Sequence, residues 1–209
     1  MITSDKVQSV GIIANPASGR DIRRLVAEAS VFPISEKCSM ILRALEGLGA
    51  AGVKNVFMLP DRGGISERIR RVLKNKLGSS QNSWPRVTFL DMSLENGPVD
   101  TLVAARKMIA VGVRAFIVLG GDGTNRIVAR VSGDVPITSL STGTNNVFPD
   151  LREATIAGLA TGLTISGKIP SEQATLRNKV LRVYANGTED LALVDACVSR
   201  TLWVGSKAV

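Results

Sequence analysis

Histidine is missing from all 209 residues. Its absence excludes Ser-His-Asp hydrolysis, Cys-His catalysis, histidine zinc sites and a histidine phosphocarrier within this chain. Acid–base work falls to carboxylates, lysines or the single Tyr184. Aromatic residues make up only 4%, so the stacking platforms of single-strand nucleic-acid binders are lacking. Cys38 and Cys197 are the two cysteines, too few and too far apart for a disulfide framework or a metal knuckle. No apolar run reaches the roughly 20 residues of a membrane span, and Arg106, Lys107 and Arg114 break the best candidate. The start, Met1-Ile-Thr-Ser-Asp-Lys6, has no basic stretch followed by an apolar core. The expectation is a soluble, cytoplasmic protein without stable membrane insertion.

What is present is ordinary globular material, 44% apolar and 21% charged, enough for one large domain or a main domain with a smaller part. The net charge of +8 suits anionic partners. Its distribution argues against nucleic acid, because Arg68, Arg70, Arg71, Lys74 and Lys76 share a helix with Ile65, Ile69, Val72, Leu73 and Leu77. The apolar residues recur at helical spacing, so the basic ones read mainly as its solvent side.

Apolar runs at 7–14, 56–59, 86–90, 115–119 and 136–140 predict strands. Helical spacing predicts helices at 21–30, 35–50, around 65–77, at 98–111, from 125 onward and at 152–165. This alternation predicts an α/β fold, a parallel sheet flanked by helices. After residue 166 the pattern changes. Strands at 179–185 and 191–198 are joined through Asn186-Gly187, a hairpin signal, and a third begins near Thr201. The expected division is an α/β domain at 1–166 and, at 167–209, a linker and the beginning of a truncated antiparallel β domain. A lone hairpin is marginally stable, so either it pairs with something else or the chain is part of a longer protein, and the second is the expectation.

Polar, glycine-bearing turns follow four strands, at 15–19, 61–64, 120–124 and 141–146. In open parallel sheets ligands sit beyond the carboxyl ends of the strands, so these turns should share one edge. The most informative is Gly120-Gly-Asp-Gly-Thr124. Its glycines are expected to permit φ > 0 and close approach to a ligand. The helix behind it points free N–H groups and a positive dipole end at phosphate. Asp122 within it suits a metal ligand or an acceptor for a hydroxyl proton. Asn15-Pro-Ala-Ser-Gly19 and Thr142-Gly-Thr-Asn-Asn146 offer amides and hydroxyls to a nucleotide, though each also reads as a self-capped turn.

Other signals carry less. Gly162-Leu-Thr-Ile-Ser-Gly-Lys168 lacks the Ser or Thr of a P-loop at Ile169 and follows a helix, so it reads as a helix end. Asn186-Gly-Thr188 is better explained by the hairpin than by glycosylation. Asp61 suits ribose, metal or a plain turn, and Cys38 suits core packing.

Together, Asn15-Pro-x-Ser-Gly19, Gly120-Gly-Asp-Gly-Thr124 and Gly143-Thr-x-Asn-x-Phe148 resemble the superfamily of NAD kinases, diacylglycerol kinases and sphingosine kinases. The wording Gly143-Thr-Asn-Asn-Val-Phe-Pro149 is more similar still to the NAD-kinase-like proteins encoded with acetoin catabolism genes. The resemblance implies an α/β domain followed by a β-sandwich domain, with ATP and Mg2+ over the glycine turn. It implies Asp122 as the catalytic residue and a possible metal ligand. It implies nucleotide contacts from Asn15, Ser18, Gly19, Gly120, Gly121, Gly123, Thr124, Asn125, Thr144, Asn145 and Asn146. Asp195 matches the acidic member of the pair that NAD kinases use to hold NAD, while Val194 replaces its amide partner. The expected activity is transfer of a phosphoryl group from ATP to a hydroxyl of NAD or a related small molecule. The alternatives are a lipid kinase or a non-catalytic nucleotide-binding regulator. The expected partners are a nucleotide, the small-molecule substrate and further copies of the chain in a homo-oligomer.

Overall fold

A computed structural model of the chain describes residues 8–19, 32–76, 84–143 and 146–200. Five strands form one parallel sheet: β1 Ser9–Ala14, β2 Asn55–Met58, β3 Arg86–Phe89, β4 Ala115–Gly120 and β5 Ile137–Ser141, in the order β3-β2-β1-β4-β5. Between and after them come α1 Ile34–Ala50, α2 Ile65–Lys76, α3 Pro98–Ala110, α4 Asp122–Ser132, α5 Ala154–Ile165 and the short α6 Ser171–Ala174. A two-stranded antiparallel hairpin, β6 Leu181–Ala185 and β7 Thr188–Ala192, follows. The helix expected at 21–30 and the strand expected near Thr201 lie outside the described residues. Among the described residues, no helix is long and apolar enough to cross a membrane.

The period of two along a strand divides the core into two layers. Val10, Ile12, Val56, Met58, Ile117 and Leu119 face α1, α2 and α5. Ile13, Phe116 and Val118 face Ala104, Ala105 and Met108 of α3 and Val128 of α4. β1 and β4 are buried at every position, as central strands of a sheet covered on both sides must be. The basic helix behaves as expected: Ile65 and Ile69 are buried while Arg68, Arg70, Arg71 and Lys74 are exposed. Arg71 pairs with Glu67 at 2.8 Å and Arg70 stacks over Phe89 at 4.2 Å.

Helices α1 and α5 touch backbone to backbone. A methyl on Gly158 would strike the carbonyl of Ala44, and one on Gly47 would strike that of Thr155. The glycines therefore set the depth at which α5 sits, and with it the position of the loop that leads into it from β5.

The structure corrects two boundaries. α4 starts at Asp122, not at 125, because Thr124 and Asn125 already donate their N–H groups to the Gly121 carbonyl. The second hairpin strand is Thr188–Ala192, not 191–198. Asn186 and Gly187 take φ of 50° and 75°, a tight two-residue turn that pairs Ala185 directly with Thr188. The helix end expected at Gly162–Lys168 is found there, with Gly167 at φ 73° after α5.

Replacing Gly158 with valine forces the two helices apart and is expected to cost about 3 kcal/mol or more of stability. Urea unfolding followed by circular dichroism checks this. An unchanged midpoint would show that the contact between α1 and α5 is dispensable.

Candidate nucleotide site

The turns after β1, β2 and β4 and the loop after β5 open into one cavity of about 970 Å³ at the carboxyl ends of the strands. The loop between β3 and α3, with Asn96, and the first turn of α3, with Asp100 and Thr101, complete its wall.

The turn after β1 is built by its own side chains and by a lysine beneath it. Asn15 Oδ1 accepts from the Ala17 N–H at 2.9 Å, and Ser18 Oγ donates to the Asn15 carbonyl at 2.8 Å. Lys37 of α1 is completely buried. Its Nζ donates to the carbonyls of Asn15, Pro16 and Ser18 at 3.0, 2.9 and 2.6 Å. An ammonium is expensive to bury unless its protons are satisfied, and this turn satisfies them. Next to it, Cys38 is a core residue, and burial pushes its thiol above the ordinary value more strongly than Arg68 draws it down.

Three cross-links join the turns. Asn15 Nδ2 donates to Thr124 Oγ1 at 3.0 Å. The hydroxyls of Ser18 and Thr142 share a hydrogen bond of 2.6 Å. The Asp122 carboxylate accepts from the Val147 N–H at 3.2 and 3.1 Å through its two oxygens, and from the Phe148 N–H at 2.7 Å. Asp122 sits in the first turn of α4, where the helix dipole favours a negative charge. The loop after β5 is braced further by Asn146 Nδ2, which donates to Ser141 Oγ at 2.8 Å.

Gly120 and Gly121 act by closeness and not by the φ > 0 expected from sequence, while a methyl on Gly123 would meet nothing within 4 Å. Gly120, Gly121 and Gly123 are not among the positive-φ glycines. A methyl on Gly120 would lie 2.7 Å from the Thr124 side chain, and one on Gly121 would lie 2.7 Å from Asn146 Oδ1. The turn is tight because its own side chains and the neighbouring loop press against it.

Of the residues singled out in the sequence, Asn15, Ser18, Gly19, Gly121, Asp122, Gly123, Thr124 and Asn146 line the cavity. Gly120 ends β4 opposite Ser141. Asn125 is completely buried and ties α4 to the sheet: its Nδ2 donates to the Gly121 carbonyl and its Oδ1 accepts from Ser139 Oγ. Thr144 and Asn145 lie outside the described residues. Asp195 lies on exposed chain beyond β7, away from the cavity lining. Asp61 lines the cavity, but its carboxylate caps α2 by accepting from the Ile65 and Ser66 N–H groups at 3.1 and 2.6 Å.

Sequence reasoning missed Lys37, Arg126 of α4 and the β3–α3 loop. A signal for Lys37 existed: it lies three residues after Ile34 and four before Ile41, on the helix face that packs inward.

A parallel sheet flanked by helices, with its polar turns gathered around one cavity at the carboxyl ends of the strands, defines an open α/β protein with its cavity where such folds place ligands. The chain belongs to the ATP-NAD kinase family, whose N-terminal domain profile matches residues 10–169. Among curated proteins it is similar to acetoin catabolism protein X of Cupriavidus necator, with 47% identity over 205 residues. That match covers 96% of this chain and 57% of the relative, so the chain spans little more than half of the relative's length. No solved structure gives a significant match. The family read from the three turn motifs is thereby borne out.

Lys37→Met would leave three carbonyls facing an apolar chain and is expected to destabilise the protein by about 3 kcal/mol. Equilibrium unfolding in urea measures this. A variant as stable as the wild type would mean that the ammonium does not organise the turn.

Proposed function

We propose that this chain is the nucleotide-binding part of an ATP-dependent kinase of the NAD-kinase-like type. It would transfer a phosphoryl group to a hydroxyl of NAD or a related small molecule. The observation that carries this reading is the hydrogen-bonded union of the turns at 15–19, 120–124 and 141–148 around a single cavity. Phosphoryl transfer is chiefly positioning and charge stabilisation, which a rigid wall of hydroxyls, amides and N–H groups supplies without histidine.

In this reading the phosphates of ATP lie against Gly121, Gly123 and the first turn of α4, with Asn15, Ser18 and Asn146 as further contacts. Thr144 and Asn145 are further contacts proposed from the family resemblance. Among the described residues, no three Asp, Glu or Cys side chains gather into a metal cage. Magnesium is normally carried by nucleotide phosphates and held by one or two carboxylates. Asp122 is the residue that would hold it, and the ion would supply charge neutralisation at the phosphates. Asp122 accepts from two N–H groups, one of them shared between its oxygens, and a carboxylate offers about four acceptor sites, so capacity is left for a ligand. The same carboxylate is positioned to orient an acceptor hydroxyl.

The acceptor is read from the family and from Asp195, which lies on exposed chain beyond β7. Cytoplasmic location, assembly into a homo-oligomer and a division near residue 166 belong to the same proposal.

The test is a phosphoryl-transfer assay on the full-length protein, offering NAD, NADH and a lipid panel with ATP and magnesium. Formation of NADP is the expected result, and Asp122→Ala is expected to lower turnover at least 100-fold while ATP still binds. Phosphorylation of a lipid without NADP would replace the acceptor. ATP binding without transfer to any acceptor would sink the kinase reading and leave a nucleotide-binding regulator.

A further inference from the structure

The cavity's free charges are few. Asp61, Asp100 and Asp122 line it, and each carboxylate already accepts N–H groups: Asp61 at the start of α2, Asp100 from Glu95 and Gly97 at 2.9 and 3.3 Å, and Asp122 from Val147 and Phe148. Against them stand two guanidinium groups on the cavity wall, Arg62 and Arg126. Arg62 projects from the exposed turn after β2. Arg126 is held differently.

Arg126 lies one helical turn after Asp122 on α4, so the two side chains occupy the same helix face, and both line the cavity. Its Nη1 donates to Asp190 Oδ2 at 2.8 Å and to the Leu191 carbonyl at 3.4 Å. Both acceptors belong to β7, at the other end of the described chain. Asp190 is gripped from several sides: Arg130, one turn further along α4, approaches its Oδ1 at 3.6 Å, and the Leu191 N–H donates to that oxygen at 2.8 Å. Leu191 is buried. These contacts use one nitrogen of Arg126. A guanidinium carries five N–H donors in a fixed plane, so anchoring Nη1 sets the direction in which Nη2 and Nε point.

The ion pair is too exposed to matter much for stability, with side-chain exposures of 41% and 48%; such pairs contribute little. Its consequence is orientation. A plane fixed at one edge loses less freedom on binding an anion than a free arginine does.

The geometry points to Arg126 as an anion-binding residue of the cavity, oriented by Asp190, so that the β6–β7 hairpin tunes the affinity of the nucleotide site for phosphate. This rests on the nucleotide reading above and adds to it a positioning role for a segment outside the parallel sheet. The glycine turn supplies N–H donors; Arg126 supplies the full positive charge that a triphosphate calls for.

The test is calorimetric titration of the full chain with ATP and magnesium, comparing wild type, Arg126→Gln, Arg126→Lys, Asp190→Asn and the double variant R126Q/D190N. Arg126→Gln is expected to weaken ATP binding roughly 10- to 100-fold. Arg126→Lys, which keeps the charge without the planar fork, should lose less. Asp190→Asn should lose several-fold, and the double variant should match Arg126→Gln within about twofold, because Asp190 acts only through Arg126. Thermal unfolding of each variant identifies any that fails to fold, and the Lys and Asn variants carry the comparison if the Gln variant is lost. A wild type that binds ATP alongside an Arg126→Gln variant that binds equally overturns this inference and leaves the nucleotide reading standing. Losses that multiply in the double variant overturn the coupling to the hairpin. A wild type that binds no ATP overturns both.

Discussion

A buried ammonium shapes the wall of the cavity. Lys37 leaves water completely, at a cost of several kcal/mol if unpaired, and it recovers that cost only where carbonyls converge on it. The turn after β1 provides three, and in doing so is pinned to α1. Once pinned, that turn offers Asn15 to Thr124 and Ser18 to Thr142, so the positions of two further turns follow from it. An apolar side chain at position 37 would fill the same space without drawing the carbonyls inward. A polar, neutral one would be too short to reach all of them.

Asp122 makes the second constraint. Its carboxylate sits in the first turn of α4 and holds the N–H groups of Val147 and Phe148, linking β4 to the loop after β5. The same residue is thus a structural tie and the one carboxylate in the glycine turn, the residue proposed to serve the chemistry. These uses are compatible because an ionised carboxylate accepts on both oxygens, and because the bonds that place the loop also place the charge.

Much of this was legible in the chain itself. The strands were visible as short apolar runs, and the alternation with helices implied that polar turns at their carboxyl ends would meet. Most of the turn residues named from the motifs do line a common cavity. Asn125 does not: it reads as a ligand contact from its place after Gly120–Thr124, yet it is buried and bonded to Gly121 and Ser139. A motif lists neighbours in sequence, whereas a helix turns successive residues to different faces. The glycines were recognised for a reason that proved incomplete, since their effect depends on what lies opposite them, namely Thr124 and Asn146.

By itself the sequence determined the element types, the parallel sheet, the strand-end location of the polar turns and the family, because all of these follow from local periodicity and from short contiguous motifs. Only the tertiary structure decided that Lys37 points into the turn after β1, that α1 and α5 meet at their glycines, and that Arg126 is held by Asp190. Each of these joins residues far apart in the chain. The energies involved depend on distance and burial in three dimensions, which no local pattern encodes.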